Sequence, residues 1–161
     1  MKICVFPGSF DPISNGHLDL IKRSAKLFDK IYVLASFNVN KKYLFTAEER
    51  IELIKKCIDL PNVEVCTFDG MVVEFAKQVG ATVILRGLRN QNDYFNELEL
   101  SYFNTSFDSS IETILMFASK DNLFVSSSII KELILYGRDV SKYLPKEIIE
   151  DVTKRIKEQL N

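Results

Sequence analysis

The chain holds a single histidine, His17, which closes the stretch Gly8-Ser9-Phe10-Asp11-Pro12-Ile13-Ser14-Asn15-Gly16-His17. Before it, Ile3-Cys4-Val5-Phe6 reads as a strand. After it, Leu18, Ile21, Ala25 and Phe28 fall on one helical face. The stretch is therefore a strand-to-helix turn, with Ser14 or Asn15 as helix cap and His17 in the first turn. A helix N-terminus carries free N–H groups and partial positive charge, which suit a phosphate. Gly8 and Gly16, without Cβ atoms, are expected to let backbone approach a ligand. A lone histidine in a helical turn is more often structural than catalytic. Gly16 beside it and the Ser14-x-Gly16-His17 spacing favour a working imidazole at an anion site.

Other polar groups follow predicted strands. Lys41 and Lys42 lie in the polar loop 38–42, after an apolar strand at Lys30–Ser36. Arg86-Gly87-Leu88-Arg89 continues a strand at Thr82–Leu85, and arginine grips phosphate oxygens in a bidentate manner. Ser126-Ser127-Ser128 opens a helix after a strand at Glu112–Phe117. Taken singly, the lysine pair reads as a solvated loop, the serines as a cap, Asp11-Pro12 as a turn, and Glu97 as a solvated helix residue.

The elements that position these groups alternate. A strand at Val63–Phe68 completes a set of five, each followed by a helix. Thr46-Ala47-Glu48-Glu49 is a capping box, and Ile51, Ile54 and Ile58 mark that helix's buried face. Further helices are expected over about 71–79, 93–107 and 126–136, and Pro145 opens a last one. Tyr94, Phe95, Tyr102, Phe103 and Phe107 crowd one helix and suit core or subunit contact. Continuous apolar strands and βα alternation predict a single doubly wound, Rossmann-like α/β domain spanning residues 1–161. Its five-stranded parallel sheet carries helices on both faces and a C-terminal helix. In such sheets ligands sit outside the carboxyl ends of the strands. Ser9, Asp11, His17, Lys41, Lys42, Arg86, Arg89 and Ser126–Ser128 then converge on one crevice suited to several phosphates.

Composition agrees with an ordinary soluble globular protein. The 161 residues are 47% hydrophobic and 27% charged, with net charge −1 and pI about 5.9. That balance argues against a general nucleic-acid binder. Cys4, Cys57 and Cys66 are odd in number, lack metal-ligand spacing, and suit reduced thiols in a cytoplasmic protein. No signal peptide is read at the N-terminus. No stretch approaches the ~18 apolar residues of a membrane helix.

The stretch Gly8–His17 resembles the T/HxGH signature of the nucleotidyltransferase superfamily, and more narrowly that of the bacterial phosphopantetheine adenylyltransferase family. Lys41-Lys42-x-x-Phe45-Thr46, Arg86-Gly87-Leu88-Arg89, Phe124-Val125-Ser126-Ser127-Ser128, Gly137-x-Asp139-Val140 and Leu144-Pro145 match further family motifs in order and spacing. The resemblance spans essentially the whole chain. It implies transfer of the adenylyl group of ATP to 4′-phosphopantetheine, giving dephospho-coenzyme A and pyrophosphate, with Mg²⁺. It implies a homohexamer and coenzyme A as a feedback ligand, with no nucleic-acid or membrane partner.

Carried over residue by residue, the resemblance makes His17, Lys41 and Arg89 catalytic. It places ATP against Ser9, Phe10, His17, Gly87, Leu88, Arg89, Glu97, Asn122, Leu123, Phe124, Val125, Ser126, Ser127 and Ser128. It places the acceptor against Ser9, Lys41, Val72 and Arg86. It names no protein side chain as a metal ligand. Ser9 stands where threonine is commoner, Asn122 where an aromatic residue usually stands, Asn96 where tyrosine is common, and Thr105 where arginine is frequent; these bear on the adenine side and on subunit contacts. Two other readings share the crevice: a related adenylyl- or cytidylyltransferase with another acceptor, and a non-catalytic nucleotide or coenzyme A sensor. The Arg86–Arg89 and Ser126–Ser128 motifs weigh against the first, and His17 with Lys41 against the second.

Overall fold

The computed structural model describes residues 1–38 and 41–159; Val39 and Asn40, in the loop expected after the second strand, lie outside them. Five parallel strands form one sheet: β1 Ile3–Gly8, β2 Lys30–Ala35, β3 Val63–Cys66, β4 Val83–Leu88 and β5 Glu112–Phe117. Their order is β3-β2-β1-β4-β5. The strand order therefore reverses between β1 and β4, which opens a crevice at their carboxyl ends. The connecting helices are α1 Asn15–Ser24, α2 Ala47–Cys57, α3 Val72–Gln78, α4 Gln91–Phe107 and α5 Ser127–Leu135, followed by α6 Ile149–Glu158.

Strand alternation sorts side chains between two cores. Cys4, Phe6, Ile31, Val33 and Leu85 face a larger cluster with Leu18, Ile21, Ile54, Ile130, Leu144 and Val152 from α1, α2, α5, α6 and the segment before α6. Val5, Leu34 and Ile84 face a smaller one with Val73, Phe75 and Ala76 of α3. Helices thus cover both faces, as the apolar strand runs predict. Each fully buried aliphatic side chain contributes about 1.5–3 kcal/mol, so the sheet is a stiff base for the loops at its rim. All three cysteines are free, and burial pushes the Cys4 and Cys57 thiols up to about 12 and Cys66 to about 11.

Several local expectations shift. The buried stripe of α2 is Arg50, Leu53 and Ile54, so Ile51 and Ile58 sit at its margin. Pro145 precedes a single 3₁₀ turn, Lys146–Ile148, and the last helix starts only at Ile149. Helix α4 does not bury its aromatic residues: Phe95, Tyr102, Phe103 and Phe107 are all exposed, as is Phe117 on the neighbouring edge strand β5. The core reading of those residues is overturned, because β5 ends the sheet and no further layer covers α4 among the described residues. Glu97 is the one buried residue of α4.

Candidate active site

The loop leaving β1 is built from inside outward. Phe10 takes a left-handed backbone (φ 46°), which turns its ring into the protein, where it is 1% exposed. The ring stands edge-on to Phe6 at 5.9 Å and to the His17 imidazole at 5.0 Å between centroids. A Cβ on Gly8 would come 2.8 Å from Phe10 Cζ. The Phe10 ring therefore requires a glycine at position 8. Gly87 is also closely packed: a Cβ there would lie 2.6 Å from Leu20 Cδ1. Both glycines serve packing beneath the crevice.

Helix α1 starts on Ser14, the first of the two expected caps, whose side chain accepts the His17 backbone N–H at 3.3 Å. The Ser14 backbone N–H donates in return to His17 Nδ1 at 3.1 Å. An amide N–H can only donate, so Nδ1 must carry the lone pair and the ring proton sits on Nε2. Burial, then the charges of Arg89, Arg86 and Lys41, lower the imidazole's pKa from 6.5 to about 4. At neutral pH His17 is an uncharged ring offering a single Nε2–H donor.

Contacts between loops draw the expected groups together. Lys41 Nζ donates to Ser9 Oγ at 3.2 Å, which joins the loops after β2 and β1. Ser127 Oγ donates to the Pro12 carbonyl at 2.8 Å, which brings the start of α5 to the same place. Ser126 caps α5 by accepting from Ile129 N–H at 3.2 Å, while Ser128 is exposed. Asn122 ends a 3₁₀ turn and donates to Ser119 Oγ at 2.7 Å. Leu123 is half-buried, Val125 is buried, and Phe124 is 86% exposed. Gly87 and Leu88, at the end of β4, are half-buried in the sheet. Lys42 is exposed in the lysine loop.

Each of the two arginines is paired with a carboxylate. Arg86 pairs with Glu97 through two bonds, Nε–Oε2 at 2.6 Å and Nη2–Oε1 at 2.8 Å, and gives Nη1 to the Pro7 carbonyl. Arg89 pairs likewise with Asp93, at 2.9 and 3.1 Å, and gives Nη1 to the Val125 carbonyl at 3.1 Å. Glu97, read from sequence as solvated, is buried because that pair compensates its charge. Val72, Arg86 and Glu97, with Leu100, Asn104 and Thr113, line a small pocket of about 70 Å³ on the α3–α4 side of the sheet. So the structure sets Glu97, expected with the nucleotide, beside the residues expected with the acceptor.

Three supporting residues escaped sequence reading. Asp93 stands four residues after Arg89 in the first turn of α4, an i,i+4 spacing that signals such a pair. Arg50 lies 2% exposed on the buried stripe of α2 and donates to the Ser9 and Ser36 carbonyls at 2.6 and 3.0 Å. Its signal was a charge at a core-facing position. Lys131, four residues after Ser127, pairs with Asp11 at 2.6 Å.

A β1–α1 turn holding an imidazole donor, facing lysine, arginine and serine loops across the switch point of a parallel sheet, defines a nucleotidyltransferase-type site. The family model described as cytidylyltransferase-like matches residues 5–133. A phosphopantetheine adenylyltransferase of Clostridium beijerinckii is 47% identical over 97% of this chain and 99% of its own. One from Nautilia profundicola is 45% identical over 92% and 97%. The chain belongs to the phosphopantetheine adenylyltransferase family. The nicotinic acid mononucleotide adenylyltransferase of Plasmodium falciparum, solved with NaAD, shares the fold at 16% identity, with TM-score 0.70 over 98% of this chain and 95% of that one.

Proposed function

We propose that this chain transfers the adenylyl group of ATP to 4′-phosphopantetheine, releasing pyrophosphate and giving dephospho-coenzyme A. The observation that carries this reading is near full-length identity of 47% to a relative of that name, in a chain whose four phosphate-suited loops meet at one crevice. A phosphate oxygen of the acceptor attacks the α-phosphorus of ATP, the bond from that phosphorus to the β-phosphate bridging oxygen breaks, and pyrophosphate leaves. The attacking oxygen is already anionic, so no base is needed and no covalent intermediate forms. Catalysis is then positioning and charge stabilisation.

In this reading His17 Nε2–H donates to an α-phosphate oxygen as its charge grows. Lys41 spans the acceptor phosphate and the transition state, and Ser9 holds the same phosphates. Arg89, fixed by Asp93, directs its remaining donor capacity at ATP beside Ser127 and Ser128. Gly87, Leu88 and residues 122–126 border the nucleotide. Val72 and Arg86, with Glu97 bracing the arginine, receive the pantetheine arm. The described residues gather no group of three His, Cys, Asp or Glu side chains fit for a metal. Mg²⁺, which the family resemblance implies, would neutralise phosphate charge beside Lys41 and Arg89. Coenzyme A shares the product's parts and would compete for the crevice as a feedback ligand.

The exposed aromatic face of α4 and β5 supports self-association into the homohexamer that the family resemblance implies. No helix of the described residues is long and apolar enough to cross a membrane, in keeping with a cytoplasmic enzyme. Pyrophosphate release with ATP and a panel of acceptors tests the reading. Turnover with 4′-phosphopantetheine is expected, and turnover with nicotinate mononucleotide in its place would overturn it.

A further inference from the structure

Asp11 is 4% exposed, yet it touches no group that the reaction uses. Its carboxylate accepts the Leu44 N–H at 2.9 Å, the Phe45 N–H at 3.0 Å and the Lys131 ammonium at 2.6 Å. The two amides belong to the segment that follows Lys41 and enters α2. Lys131 belongs to α5, one helical turn after Ser127, so both reach residues 11–12 from one face of that helix. One buried carboxylate therefore joins the loops after β1, β2 and β5.

We propose that Asp11, with Lys131, is the positioning residue that sets Lys41 and the serine loop in register with His17; this rests on the adenylyl-transfer reading above. The physical reason is the demand of a buried carboxylate. It must be satisfied by donors, since leaving it unpaired is costly, and here two come from the loop after β2 and the third from helix α5. Lys41 donates its ammonium to the Ser9 hydroxyl and its backbone N–H to the Asn38 carbonyl of its own loop. Its placement thus depends on where the backbone at 44–45 is anchored, three to four residues on. Reacting groups displaced by about 1 Å cost turnover steeply, so the anchor acts on rate and not through contact with substrate.

Asp11→Asn tests this. An amide offers one acceptor oxygen and turns an NH₂ toward either a backbone N–H or the Lys131 ammonium, a donor-to-donor contact. Expected is a fall in kcat of about 10- to 100-fold, with the ATP KM within about threefold of the parent. In a Lys41→Ala background the same change should cost less than about threefold, because there is then no lysine left to misplace. A merely structural role would lower both backgrounds equally. Equal losses, or an Asp11→Asn kcat within twofold of an active parent, overturn the proposal. Asp11→Ser, which takes the carboxylate away from both amides, serves the same cycle where Asp11→Asn does not fold. Amide hydrogen exchange gives a reading independent of turnover: Leu44 and Phe45 should exchange about tenfold faster in Asp11→Asn while Leu53 is unchanged. Unchanged protection at 44–45 overturns the proposal even if the parent fails to use 4′-phosphopantetheine, a failure that would strike the functional reading instead.

Discussion

Arg86 and Glu97 face each other as a two-bond ion pair that joins the end of β4 to the middle of α4, at 2.6 and 2.8 Å. Each group is what makes the other tolerable: the carboxylate is buried, and the guanidinium's third contact is a carbonyl. Arg86→Ala leaves Glu97 as an uncompensated charge and should cost about 3 kcal/mol of stability in urea unfolding. Arg86→Met with Glu97→Leu should recover most of that loss while still weakening the acceptor, seen as a raised KM for 4′-phosphopantetheine.

His17→Ala removes the Nε2–H donor from the proposed α-phosphate site and leaves the lysine, arginine and serine loops in place. Turnover should fall by roughly 10²-fold or more, the scale of one lost oxyanion donor, with ATP binding by calorimetry little changed. Unaltered turnover would remove His17 from the chemistry.

The lowered pKa of His17 has a signed consequence for stability. The folded chain keeps the ring neutral down to about 4, whereas the unfolded chain protonates it near 6.5. Between those values the unfolded state binds more protons, so stability rises with pH through the window and is lost as pH falls through it. The contribution is at most about 3 kcal/mol. Thermal melts of His17→Gln between pH 4 and 7 should show a correspondingly flatter acid limb than the parent.

Gly87→Ala places a methyl group against Leu20 Cδ1. Overpacking of this kind costs about 1–3 kcal/mol. Leu20→Val shortens the opposing side chain, so the double variant should lose less than the two single losses added, with coupling above about 0.5 kcal/mol. Simple additivity in urea melts would show that Gly87 is required for something other than Leu20.

Phe103 and Phe117 are 57% and 71% exposed on the α4–β5 face. Replacing both by Asp should leave the monomer fold intact by circular dichroism and shift sedimentation to smaller species. An unchanged sedimentation coefficient would place any subunit contact elsewhere.

Most of the architecture could be read from the chain, because strand burial and helix periodicity are local patterns with few physical solutions. The apolar run Ile31–Ala35 and the capping box at Thr46 each specify an element without outside help. So does Ser14, whose hydroxyl and the returning His17 ring lie within one turn. The same locality made the residue types of the crevice visible, since strand ends in a parallel sheet converge wherever the connections lead.

What folding alone decided is how those residues are engaged, because that depends on neighbours distant in sequence. Arg86 and Glu97 are eleven positions apart, while Asp11 and Lys131 are separated by 120. Read singly, the two arginines are phosphate grips, Glu97 a solvated helix residue, Asp11 a turn residue, and Gly8 an opening for a ligand. In the folded chain carboxylates neutralise both arginines, burial makes Asp11 an anchor, and Phe10 and Leu20 take the space the glycines leave. The sequence determined which groups reach the crevice. The tertiary structure determined the charge of His17, the partners of Arg86 and Lys131 and which groups remain to meet a phosphate, because burial and long-range pairing set those properties.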